Sequence, residues 1–168
     1  MSTLARRGAA AARRGDGGVR TEYLAFRLGI DTYAVKIGEV GEIIRLLPIT
    51  EIPRAPEHFV GVVSVRGRLV TVMDLRRRFS LPAAPFDERT RILLVPASEE
   101  EFVGLLVDEV LQVYRLAEDE IEPAAVLGGE QPAHIHGIGR PKLGHVAGKR
   151  ASELVLVLLD LKPVVEVH

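Results

Sequence analysis

Apolar positions along this chain fall in short runs broken by turn residues, the rhythm of β-structure. Tyr23 to Leu28 is apolar apart from Arg27, Gly29-Ile30-Asp31 forms a tight turn, and Thr32 to Val35 resumes, which predicts a hairpin. Val60 to Val65, the turn Arg66-Gly67-Arg68 and Leu69 to Met73 predict a second hairpin, rich in β-branched residues. Ile92 to Val95 and Phe102 to Val107, joined through Ser98-Glu99-Glu100-Glu101, predict a third, and Asp108 to Tyr114 continues apolar-rich. Ile135 to Ile138 and Leu154 to Leu159 read as closing strands. Ile37, Val40, Ile43 and Ile44 recur at helical spacing and predict a short amphipathic helix. Pro48, Pro53 and Pro56 leave Ile49 to Ile52 room for a brief edge strand at most. Asp74 stands where it would cap a helical turn beginning at Leu75.

The pattern echoes itself. Gly61–Leu75 and Gly137–Leu161 each run from a glycine-bearing strand through a turn and an aliphatic strand to Asp-Leu followed by a basic residue. A unit of that size is too small to be stable alone, so two copies predict two small barrels packed on a shared core. Long helices are absent from the pattern, which argues against a doubly wound α/β sheet.

Composition narrows the function more than the fold. At 168 residues and 47% apolar, the chain is ordinary for a globular protein and too apolar for a disordered one. It has no cysteine, so disulfides, thiolate metal sites and cysteine nucleophiles are excluded together. The aliphatic run Leu154 to Leu159 is far short of the ~18 residues of a membrane span. A net charge of −1 hides an uneven distribution: residues 1–20 hold five arginines against Asp16, while the remainder holds 17 bases and 22 acids. Residues 1–20 have no apolar face and are expected to be a disordered basic tail, with weak contact to an acidic partner or a targeting role as alternatives. The acidic block Glu118–Glu122 and the basic stretch 139–152 are expected on different contact surfaces.

Candidate chemistry is thin. Ser64, His58 and Asp74 are the residue types of a hydrolase triad, but Ser64 sits mid-strand without the glycines of a nucleophile elbow. His134 and His136, one residue apart, would share a strand face and need a third ligand such as His145 to hold zinc. Gly144 to Arg150 has three residues between its glycines where a phosphate loop needs four, and arginine in place of the hydroxyl. Arg76-Arg77-Arg78 could touch RNA, yet a body with 5% aromatics in the chain and an acidic balance lacks the stacking platforms. A domain without a catalytic cluster works through its surfaces.

The ordered series Tyr23-Leu24-Ala25-Phe26-Arg27-Leu28-Gly29, Tyr33-Ala34-Val35, Val40-Gly41-Glu42-Ile43, Thr50-Glu51-Ile52-Pro53, Phe59-Val60-Gly61-Val62, Val65-Arg66-Gly67, Met73-Asp74-Leu75-Arg76 and Val103 to Val110 resembles CheW-type chemotaxis coupling proteins. Leu158-Leu159-Asp160-Leu161 closes the resemblance, which covers about residues 22–165. The resemblance implies a mainly β domain over 21–165, built of two intertwined SH3-like five-stranded barrels sharing a hydrophobic core, with a few short helices. It implies a non-enzymatic adaptor of the bacterial cytoplasm, without cofactor or metal, joining methyl-accepting receptors to the regulatory domain of a CheA-type histidine kinase. By resemblance, Ile37, Val40, Glu42, Gly61, Arg66 and Val113 are expected at the receptor contact or its support, and Ile43, Ile44, Ile49 and Thr50 at the kinase contact. Arg66, in a turn after an apolar strand, is suited either to pairing with a carboxylate or to capping a backbone carbonyl. Departures from the family pattern are Ser64-Val65 where Asn-Leu is usual, Arg91 at a usually aliphatic position, and the long basic stretch 139–152. These point to a dedicated pathway with a different kinase or receptor as the alternative.

Overall fold

A computed structural model describes residues 18–126, 128–129, 132–142, 145–146, 149–150 and 154–166. The expected tail lies outside them apart from Gly18, Val19 and Arg20, of which Arg20 opens the first strand.

The three predicted hairpins form β1 (Arg20–Leu28) with β2 (Asp31–Lys36), β4 (Phe59–Val65) with β5 (Arg68–Asp74), and β6 (Arg91–Pro96) with β7 (Phe102–Val107). Between them stands β3 (Glu42–Arg45), and after them come β8 (Glu109–Ala117), β9 (Ile121–Pro123), β10 (Ile135–Gly139), β11 (His145–Val146), β12 (Lys149–Arg150) and β13 (Leu156–Leu159). One-turn helices follow β5 and β13, at Leu75–Arg78 and Lys162–Val165. Asp74 caps the first as expected, its carboxylate accepting from the Arg76 N–H at 2.9 Å.

One sheet has the order β8-β1-β2-β13-β10-β9 and the other β3-β6-β7-β5-β4, with β11 and β12 paired separately. A bridge between Thr50 and Val62 extends the second sheet beyond β4, where β9 extends the first beyond β10. The two orders correspond strand for strand, so the sequence echo is the visible part of a duplication spanning the described domain. The halves exchange hairpins: β1–β2 joins β13 of the second half in parallel, and β6–β7 joins β5 of the first half likewise. Neither half can close its own sheet.

This arrangement explains the uninterrupted apolar runs. Leu24, Phe26 and Leu28 of β1 and Leu93 and Val95 of β6 enter a central layer between the sheets. Their alternates Tyr23 and Ala25 line the interior of the first barrel, while Ile92 and Leu94 line that of the second. Strands buried on both faces need no polar alternation.

The predicted helix over Ile37 to Ile44 is corrected: a single 3-10 turn, Ile37–Glu39, leads into β3, which pairs with β6. Four apolar positions at helical spacing were compatible with a strand as well. Long-range pairing decides, because β3 turns Ile44 into the second barrel and Ile43 toward the central layer.

Candidate partner-binding groove

Strands β3 and β8 are the equivalent outer strands of the two sheets. Ile43 lies opposite Leu93, and Val113 opposite Leu24; both partners belong to the central layer. Cross-strand neighbours share a face, so Ile43 and Val113 carry that apolar layer out to solvent, at 40% and 43% exposure. Ile37 and Val40, in the passage from β2 to β3, pack half-buried against the same layer, as does Val110 of β8. A cavity of about 750 Å³ spans the seam, lined by Arg45 at the end of β3, by Leu46 after it and by Glu109 and Val110 of β8. The apolar layer thus reaches solvent along both edges, beside an open cavity lined mainly by charged side chains.

Arg66 ties the β4–β5 turn to β3. The β4–β5 turn holds Arg66 and Gly67 at φ of 49° and 82°, a conformation glycine takes freely and arginine does not. From there the guanidinium donates to both Glu42 carboxylate oxygens, at 3.0 and 2.5 Å, tying the hairpin tip to the start of β3. The hydrogen bonds from Arg66 hold the Glu42 carboxyl below its ordinary value and raise the guanidinium in turn. Of the two partners open to Arg66 from the sequence, a carboxylate or a backbone carbonyl, the structure shows the carboxylate, that of Glu42.

Gly61 has a different task. At φ 150°, beside the bulge in the β4–β5 pairing, a side chain would run into the Thr50 carbonyl. Gly61 thus permits the bridge between Thr50 and Val62, whose two N–H···O bonds are 2.9 Å each. Of the four residues expected at a kinase contact, Ile44 and Ile49 pack inside the second barrel, while Ile43 and Thr50 are exposed.

A buried ionic cluster, missed in the sequence, sets the geometry behind the groove. Asp108 sits where the chain leaves β7 in one sheet for β8 in the other, and it is 7% exposed. Its carboxylate meets Arg76 at 2.6 Å from the second barrel, and accepts from the Gly29 N–H at 2.7 Å and Arg27 at 3.3 Å in the first. Arg76 also donates to the Ala84 carbonyl at 2.7 Å. The Arg76-Arg77-Arg78 run is therefore no free basic patch: Arg77 lies 3.7 Å from Asp74, and Arg78 donates to the Pro163 carbonyl.

Other candidate chemistry disperses. Ser64 is exposed opposite Leu69, six residues along from His58, roughly 20 Å at strand rise. His134 lies in the turn before β10, stacked on Phe79 at 4.3 Å, while His136 falls at the bulge in the β10–β13 register. The His145 side chain lies outside the described residues, and among those described no three metal-binding groups gather. The acidic block and basic stretch meet each other instead, Lys142 pairing with Asp119 at 2.9 Å and Arg140 with Glu122 at 3.6 Å, while Glu120 pairs with Arg20 of β1 at 2.7 Å. Among the described residues, no helix is long and apolar enough to cross a membrane.

A double barrel with this exchange of hairpins agrees with the family model for a CheW-like domain, which matches residues 22–167. The chain belongs to the CheW-like domain family. It is 25% identical to the chemotaxis protein CheW of Helicobacter pylori over 134 residues, 80% of this chain and 81% of that one. Protein FrzA of Myxococcus xanthus is 32% identical over 117 residues, covering 70% of this chain and 72% of that protein. The crystal structure of the scaffolding protein TtCheW from Thermoanaerobacter tengcongensis superposes with a TM-score of 0.72 at 27% identity, covering 89% of this chain and 95% of the other. A mainly β CheW-like fold is thereby shown, with one difference of detail from expectation: the first sheet has a sixth strand, the three-residue β9.

Proposed function

We propose that this chain is a non-enzymatic adaptor of the bacterial cytoplasm that couples the signalling tip of methyl-accepting chemotaxis receptors to the regulatory domain of a CheA-type histidine kinase. The observation that carries the reading is the open seam, where an apolar layer shared by two barrels reaches solvent at Ile43 and Val113 beside the Arg66–Glu42 brace. An amphipathic helix can lay its apolar stripe there, with Ile37, Val40 and Val113 as anchors. The exposed Thr50 then belongs to the kinase-facing end, with Ile44 and Ile49 supporting it from within the barrel, while Ile43, also expected at the kinase contact, serves the groove instead. Signal passes as a shift in how kinase and receptor are held rather than as chemistry on this chain. The test is a pull-down with the kinase regulatory domain and with a receptor signalling fragment, separately and together. Retention of both supports the adaptor, and retention of neither overturns it.

Similarity to FrzA, which bears another name than CheW, favours the second reading, a CheW-like module of a dedicated pathway. Exchange of the receptor fragment for one from a different pathway discriminates: equal binding to both supports a general coupler, and binding to one alone supports the dedicated module.

A further inference from the structure

The groove has a chemically distinct end. Two residues beyond Ile43 on the same face of β3 stands Arg45, directly opposite Arg91 on β6. Side chains so placed have Cβ atoms roughly 5 Å apart, and like charges there oppose the pairing of the strands. No carboxylate relieves them among the described residues: Arg91 donates only to the Glu88 and Thr90 carbonyls, at 2.8 and 2.9 Å, and Arg45 has no polar partner. Both line the cavity of about 750 Å³, together with Arg89, Asp87, Glu88 and Glu109. Of those acids Glu109 is paired with Arg27 at 3.3 Å, Asp87 accepts from the Arg89 backbone N–H at 2.8 Å, and the Glu88 carboxylate has no hydrogen bond or ion pair among the described residues.

We infer that this cavity is a specificity pocket for an acidic side chain on the helical partner that fills the groove. The inference rests on the coupling role proposed above and deepens it by naming the partner's chemistry. Two residues along a strand cover roughly 7 Å, which a helix covers in about one turn and a quarter. The partner helix therefore carries an Asp or Glu about four or five residues beyond the apolar side chain seated at Ile43. A guanidinium pair holding that carboxylate forms charge-assisted bonds in a partly screened site, and the long-range attraction accelerates encounter. The mutual repulsion of Arg45 and Arg91 in the free protein is relieved on binding, a stability sacrificed for recognition.

The experiment measures affinity for the purified receptor signalling hairpin and for the kinase regulatory domain, between low and physiological salt, alongside thermal unfolding. For R45T and R91L, affinity for the receptor hairpin should fall about threefold to tenfold each and its salt dependence should flatten. Their melting temperatures should hold or rise, because a repulsive pair is removed. The doubly reversed R45E/R91E should lose more, and lysine in place of the matching partner acid should restore it. Receptor affinity unchanged in these variants, with wild-type binding intact, overturns the inference and leaves the coupling role standing. A lowered melting temperature with unchanged affinity assigns the arginines to bracing the 87–90 loop and overturns it equally. Loss confined to the kinase domain shows that the pocket serves the other partner and contradicts the inferred occupant. Failure of the wild-type chain to bind the receptor hairpin overturns both.

Discussion

The chain passes between its two sheets at equivalent places in the two halves, and the passages are built differently. From β7 to β8 it crosses at Asp108, locked to Arg76 and to the Gly29 N–H from opposite barrels. Counting from the parallel registers, the equivalent of Asp108 between β2 and β3 is Gly38, and that of Arg76 is Lys162. Lys162 is exposed, with no ion pair among the described residues. Elsewhere the halves agree closely. The N–H groups of Asp74 and Asp160 donate to the carbonyls of His58 and His134 at 2.8 Å in both cases, and each carboxylate accepts from the N–H two residues on. Duplication thus kept the fold while the two joints diverged, one built on a buried ionic cluster, the other on a glycine turn that leads from Ile37 to Val40.

The largest effect should come from breaking the ionic joint. Asp108→Ala strands a buried guanidinium, and a loss of about 3–5 kcal/mol is expected in urea unfolding. Replacing both partners, Arg76→Met with Asp108→Leu, should recover much of it. Gly38→Ala, with nothing within 4 Å of a Cβ placed there, should cost far less. Equal losses at the two passages would erase the contrast.

Next come two glycines that should behave alike. A side chain at Gly61 would meet the Thr50 carbonyl and one at Gly137 the Glu122 carbonyl, each at a bulge in its hairpin. Backbone cannot move aside as a flexible side chain can, so Gly61→Ala and Gly137→Ala should each cost about 2 kcal/mol or more. A large difference between them, measured by the same unfolding curves, would limit the equivalence of the halves.

The smallest expected effects are pH-dependent and of opposite sign. Burial, and then the nearby Arg78 guanidinium, hold the His58 and His134 imidazoles below 6.5, with Glu57 partly offsetting the shift at His58. The unfolded chain then binds more protons as pH falls below 6.5, and stability drops on acidification through the folded-state values. Glu39, at the glycine passage, is raised above 4.5 chiefly by burial, Asp160 adding and Lys36, His136 and the Leu161 N–H opposing. There the folded chain keeps its proton longer, so stability declines as pH rises from 4.5 through the folded value. Unfolding midpoints from pH 4 to 8 should show a flatter acid limb in His134→Gln and a small gain near neutrality in Glu39→Gln.

Much of this was legible because the strands that build the interior are apolar on both faces, so their runs announce themselves without tertiary context. The repeat showed itself at Asp74-Leu75-Arg76 and Asp160-Leu161-Lys162, where capping requires an acid and the last strand must turn outward. What escaped depends on partners distant in the chain. β3 looked helical because its pairing with β6 lies nearly fifty residues away, and Arg76 looked like part of a solvated run because Asp108 is needed to bury it. The brace between Arg66 and Glu42 was half legible, since a turn arginine seeks a carboxylate or a backbone carbonyl and only the pairing of β3 brings Glu42 within reach. The Arg45–Arg91 opposition was not, because it depends on the register of an unforeseen strand.

The central claim is that this chain holds a histidine kinase against its receptor through the groove between its barrels. Autophosphorylation of the CheA-type kinase in receptor-containing membranes, with and without the purified chain, tests it most directly. The account predicts stimulation by the wild-type chain and its loss in Val113→Asp, which alters an exposed groove edge and leaves kinase binding in place. Kinase activity unaffected by the wild-type chain, or stimulated equally by Val113→Asp, would contradict it.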